Sequence, residues 1–175
     1  MNRRITLDMA HEAAMKMGSA KYDEELKRLA EQLTKLTTEY VKVYYPFPVL
    51  QVIEEYPEYF NKTNSVCIHV IEDDRFLWMN TTVFVPTAKR VFDIPKTHVQ
   101  PLIDLNNEYY KLKDKKSVFV NEMIYVLGRE LKYEEKVKQY LPEALPYIEF
   151  PTVVQLPALE KDHYSKLRDF IKSIK

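Results

Sequence analysis

The sequence predicts an α+β fold: a small antiparallel sheet of about three strands packed by helices, with an N-terminal helical pair and a C-terminal docking helix. Three observations predict it. Leu26, Leu29, Leu33, Leu36, Tyr40 and Val43 recur at steps of three and four, the period of one helix face. Between residues 66 and 85 the pattern changes to short runs of β-branched and aromatic residues, which suit a pleated surface. A chain of 175 residues with 46% hydrophobic side chains is one domain long and can bury a core without disulfide or metal staples.

Thr6 is placed to cap a first helix on which Leu7, Ala10, Ala14 and Met17 share a face, and Gly18 is placed to close it. Asp23, Glu24 and Glu25 then suit the first turn of a second helix, which carries the leucine stripe until Pro46 and Pro48 stop it. Residues 1–45 thus read as the helical pair. Two further turns fit residues 49–56, and residues 61–64 read as a loop. Residues 64–95 read as a β-meander. Val66, Ile68 and Val70 alternate with Cys67, His69 and Ile71, residues 76–85 form the second strand, and residues 90–94 form the third before Pro95. Helices are expected over 97–141, with Thr97 as a cap and Leu102, Leu105, Tyr109 and Leu112 on one face. A proline-spaced tail and a terminal helix complete the chain over 142–175, the helix at 159–174 placing Leu167, Phe170, Ile171 and Ile174 on one side. The whole, 1–175, reads as a single domain.

Composition excludes several chemistries. Lys and Arg total 26, as do Asp and Glu, so no global field draws the chain to nucleic acid or to an anionic membrane. Two glycines, Gly18 and Gly128, are too few for a glycine-rich phosphate loop, and a lone Cys67 excludes a disulfide framework. No apolar run spans a bilayer and the first residues lack a signal-peptide core, so a cytoplasmic address is expected. Four scattered histidines have no metal-ligand spacing; neither metal nor cofactor is implied. Cys67 and His69 share a strand face, and the acidic run Glu72, Asp73 and Asp74 reads as a hairpin turn. No G-x-S-x-G or protease-type cysteine context marks a nucleophile, so no catalytic residue is assigned.

What remains is contact surface. Tyr44, Tyr45 and Phe47 cluster with Pro46 and Pro48, and Phe76 and Trp78 lie on a strand beside which they extend the aromatic area. Tyr109 and Tyr110 adjoin Lys111, Lys113, Lys115 and Lys116, where a solvated helix surface outweighs phosphate binding. The stripe of Leu26, Leu29, Leu33, Leu36, Tyr40 and Val43 is expected to face the first helix, the sheet or a second copy of the chain, the last giving a homodimer.

The opening Ile5-Thr6-Leu7-Asp8-Met9, the charged helix over 24–43, the stretch Lys136-Val137-Lys138-Gln139-Tyr140-Leu141-Pro142-Glu143-Ala144-Leu145-Pro146-Tyr147-Ile148 and Leu156-Pro157-Ala158-Leu159 carry a resemblance. In these two ends the chain is similar to the nucleotide-modification-associated family of small phage proteins, which end in a comparable helix, Pro-Glu turn and proline-spaced tail. Tyr140-Leu141 stands where that pattern places a tryptophan beside the proline. The resemblance implies phage origin and a host-takeover or counter-defence role in the host cytoplasm, with no catalytic residues to carry over. The expected function is therefore non-catalytic: binding a host protein or sequestering a small ligand. The alternative is an enzyme or accessory subunit in phage nucleotide or DNA-base modification.

Overall fold

In the computed structural model, which describes residues 2–45, 47–56 and 61–151, Thr6 does cap a helix, its hydroxyl accepting from the Met9 N–H at 3.2 Å. That helix is single. Helix α1 (Leu7–Tyr44) runs 38 residues without a break at Gly18, about 57 Å at the standard rise. The predicted pair is thereby corrected, and the reason is tertiary. Gly18 is buried where Val120 of helix α3 (Lys96–Tyr125) crosses it, and a Cβ there would lie 2.5 Å from a Val120 methyl. The glycine permits close packing of two helices; it does not end one. Gly128 plays a similar part against Leu7 and Ala10, in a π-helical turn (Val126–Leu131) that extends α3.

After α1 come helix α2 (Phe47–Glu55), strand β1 (Lys62–Val70), strand β2 (Arg75–Pro86) and strand β3 (Val91–Ile94). β1 begins inside the segment read as a loop. The sheet order is β2-β1-β3, with β2 antiparallel and β3 parallel to β1, so the sheet is mixed and the antiparallel meander is corrected. Burial explains the order. Val66, Cys67 and Ile68 are consecutive and all buried, as a central strand requires, whereas β2 alternates buried and exposed positions and suits an edge. The inner face packs Val66, Ile68, Val70, Leu77, Met79, Val85, Phe92 and Ile94 against Leu33 and Val41 of α1 and Val99, Leu102 and Ile103 of α3.

Two acids of the β1–β2 turn tie it to α3. Glu72 accepts from the Lys96 N–H at 2.6 Å, and Asp73 pairs with the Lys96 ammonium at 2.9 Å, so the cap expected from Thr97 comes from the turn instead. A second cluster, Ile5, Ala10, Ala13, Met17, Leu127, Val137, Ala144 and Ile148, joins the start of α1 to helix α4 (Glu134–Tyr140) and a 3-10 turn (Pro142–Tyr147). There Arg3 makes two hydrogen bonds to Glu134, at 2.7 and 3.0 Å, and its guanidinium lies over the Phe150 ring. The terminal helix expected over 159–174 lies outside the described residues. Among the described residues no helix is long and apolar enough to cross a membrane.

The leucine stripe is used within the chain. Leu29 and Leu33 are buried, Leu36 and Tyr40 pack against the sheet core, the Tyr40 hydroxyl donates to the His98 carbonyl at 2.7 Å, and Val43 is exposed. Of the alternatives the stripe offers, the sheet and α3 are the partners for Leu29, Leu33, Leu36 and Tyr40.

Candidate functional site

The strand alternation that buries Leu77 and Met79 turns Phe76, Trp78 and Asn80 away from the core. Beyond Asn80 the pairing with β1 shifts register, and Thr82 bonds to Thr38 of α1. Three aromatic rings of β2 are well exposed, Phe76 55% and Trp78 56% before the shift and Phe84 40% after it. On the neighbouring strands the register sets His69 and Asp93 in line with Phe76, and Cys67 and Val91 in line with Trp78. Cys67 is buried beneath this layer, and burial pushes its thiol pKa up while the nearby Arg90 charge pulls it down.

A basic side chain holds each exposed ring. His69 stacks on Phe76 with centroids 4.5 Å apart, the Arg90 guanidinium lies 5.0 Å from the Trp78 ring, and the Lys62 ammonium lies 4.8 Å from the Phe84 ring. Such pairing fixes ring orientation and leaves much of each ring open. Among the described residues neither Arg90 nor Lys62 has a carboxylate within ion-pair distance.

His69 is held from both sides. Its Nδ1 meets an Asp93 oxygen at 2.8 Å and its Nε2 meets an Asp74 oxygen at 3.0 Å. Hydrogen bonds to Asp93 and then Asp74 push the imidazole pKa above its usual value, because only the doubly protonated ring donates to both carboxylates. This arrangement leaves no ring nitrogen to take a proton from Cys67, so the Cys and His of this strand do not form a nucleophile and base. The acids of the predicted turn are likewise occupied, by His69, Lys96 and the α3 N-terminus. Among the described residues no group of three or more His, Cys, Asp or Glu side chains is arranged to hold a metal ion.

The remaining predicted contact residues lie elsewhere. Tyr44 and Tyr45 both pack on Phe92, at 5.1 and 5.6 Å, and the Tyr45 hydroxyl donates to the Lys89 carbonyl at 2.6 Å. Burial pushes the Tyr45 phenol pKa up. Phe47 opens α2; its side chain lies outside the described residues. Tyr109 and Tyr110 meet edge to face on α3, Tyr109 against the core and Tyr110 exposed with Lys113 over its ring. Of the lysine run, Lys116 pairs with Asp23 of α1, while Lys111 and Lys115 line an open groove of about 740 Å³ with Lys21, Tyr22 and Phe119. The predicted residues therefore form three separate sets, and Phe76 with Trp78 is the set that faces outward as a layer.

Sequence reasoning weighed His69 only beside Cys67, and missed Lys62, Phe84, Arg90 and Asp93. Phe84 carried no parity signal, because the register shift between Asn80 and Val85 interrupts the alternation that places Phe76 and Trp78. A scan against protein-family models, a search of curated proteins and a search of solved structures each return no match.

Proposed function

We propose that this chain works by contact, without turnover, and that the outer layer of its sheet is the surface it presents to its target. The single observation that carries this reading is the pair Phe76 and Trp78, large apolar rings left open to water on one face of β2, with His69 stacked on the first and Arg90 over the second. Exposing such rings has a solvation cost that a purely structural strand would avoid by placing Thr, Lys or Glu there. Rigid aromatic and arginine groups are also the side chains that supply most contact energy at low entropic cost. The host-takeover or counter-defence class implied by the phage resemblance is one in which a binder of this kind acts.

The test places a photo-crosslinking phenylalanine at Val91, in line with Trp78 across Cys67 on the outer layer, and a control at Tyr140 on α4, in cells that make the protein. A discrete adduct at position 91, absent at 140 and lost on adding Trp78→Ala, followed by direct binding of the purified target to the parent chain alone, supports the reading. Equal adducts at both positions, or none at 91, refute it. Circular dichroism of Trp78→Ala checks that the fold survives, as expected for a half-exposed side chain.

A further inference from the structure

We infer that the groove between α1 and α3 is the seat of the chain's own last segment, residues 159–174 lying along it as a third helix. Two joined spaces make up the groove. One, of about 460 Å³, lies among Met17, Phe119, Met123, Leu141 and Tyr147; the other is the space of about 740 Å³ that Lys111 and Lys115 line, and Lys21 and Phe119 border both. Its walls are apolar where a core would continue. Phe119, Met123, Leu141 and Tyr147 pack against the second cluster yet stay half-buried, and farther along α3 Tyr110 and Val118 are exposed. A trough of this kind between two long helices is filled by the apolar stripe of a third.

Position, length and pattern select the occupant. Tyr147 lines the near end of the groove, and Glu149 pairs with Lys16, the residue before Met17, so the described residues end beside that opening. Residues 152–158 then suffice as a tether, with a reach of about 23 Å when extended. Beyond them the sequence predicts a helix over 159–174, about 24 Å long at the standard rise, and the α3 positions that border the groove, Asn107 to Met123, span about 25 Å. Running from Met123 towards Asn107, antiparallel to α3, that helix brings Leu159 to the Tyr147 end and Leu167, Phe170, Ile171 and Ile174 to the Tyr110 end. A tethered segment also meets the groove at an effective concentration that a free protein of equal affinity does not reach.

Hydrogen exchange of the full chain, read by mass spectrometry, tests this. Peptides covering 159–174 should exchange at least about tenfold more slowly than the same sequence as a free peptide. Val118→Asp, at an exposed α3 position far from the segment in sequence, should remove that protection, and so should Phe170→Asp, because losing one apolar contact of this size weakens docking about tenfold or more. Exchange of β1 should stay unchanged in both variants, as the control for the fold, and Trp78→Ala on the outer layer should leave the segment protected. A photo-crosslinking phenylalanine at Tyr110, in a mixture of ordinary and isotope-labelled chains, then identifies the occupant. Adducts to residues 159–175 of the same chain, reduced about tenfold by Phe170→Asp, are expected. Adducts that join ordinary to labelled chains overturn the inference in favour of a second copy. Free-peptide exchange over 159–174, protection indifferent to Val118→Asp, or crosslinks that miss the segment overturn it as well.

Discussion

Replacing Gly18 by alanine sets two known effects against each other at one position. In the middle of an exposed helix the change would stabilise by about 1 kcal/mol, since glycine has the greater backbone entropy to lose. Here the added Cβ lies 2.5 Å from the Val120 Cγ2, against an ordinary carbon contact of about 3.5–4.0 Å, so it overlaps by an ångström or more. Val120 is buried, and a β-branched side chain in a helix has one favoured rotamer, which leaves it little room to turn aside. Overpacking of this kind costs about 1–3 kcal/mol, so the expected net change is a loss of about 1 kcal/mol. For a domain of this size that lowers Tm by roughly 2–4 °C, measurable by circular dichroism, with urea titration giving the same sign. Val120→Ala alone removes two buried methyl-sized groups and should cost about 1.6 kcal/mol or more. The double variant should be more stable than the two losses added together, because the new methyl enters the space that valine vacates. A higher Tm for Gly18→Ala, or simple additivity in the double variant, would refute the close approach of α1 and α3 at this point.

Thr37 and Thr38 are neighbours with opposite expectations. The Thr37 hydroxyl is buried with no partner among the described residues, so Thr37→Val should stabilise by about 1 kcal/mol in urea denaturation. The Thr38 hydroxyl accepts from the Thr82 N–H at 2.9 Å and donates to the Thr34 carbonyl, so Thr38→Val should destabilise by about 1–2 kcal/mol. Hydrogen bonds from Arg3 and then Lys138 hold the Glu134 carboxyl down to about 2, below its ordinary 4.5. Its contribution is therefore present above pH 4.5 and is lost as pH falls from there towards 2, and Glu134→Gln should flatten the stability-versus-pH curve in that window. Lys132 has φ 53°, in the left-handed region. Lys132→Gly should raise stability by about 0.5 kcal/mol, the relief of about 1 kcal/mol being partly offset by unfolded-state entropy, whereas Lys132→Val should lower Tm.

Much of the architecture was written locally. The Thr6 cap, the leucine stripe, the period-two runs and the prolines after Tyr45 and Ile94 all act within a few residues, and the corresponding elements stand where those signals put them. The outward set was half legible: Phe76 and Trp78 were named, but their ring contacts were not, because His69 reaches Phe76 from β1 and Arg90 reaches Trp78 from the residue before β3. Tyr44 and Tyr45 looked equally suited to contact until Phe92, nearly fifty residues away, claimed their faces.

By itself the sequence determined which segments are helix and which are strand, because periodicity, caps and proline stops are short-range properties of the chain. Only the tertiary structure decided that Gly18 lies inside a helix, that β3 joins β1 in parallel and that three rings of β2 remain open. Those outcomes depend on which distant side chains compete for the same buried space, and a glycine or an aromatic residue has no local preference strong enough to settle that competition in advance.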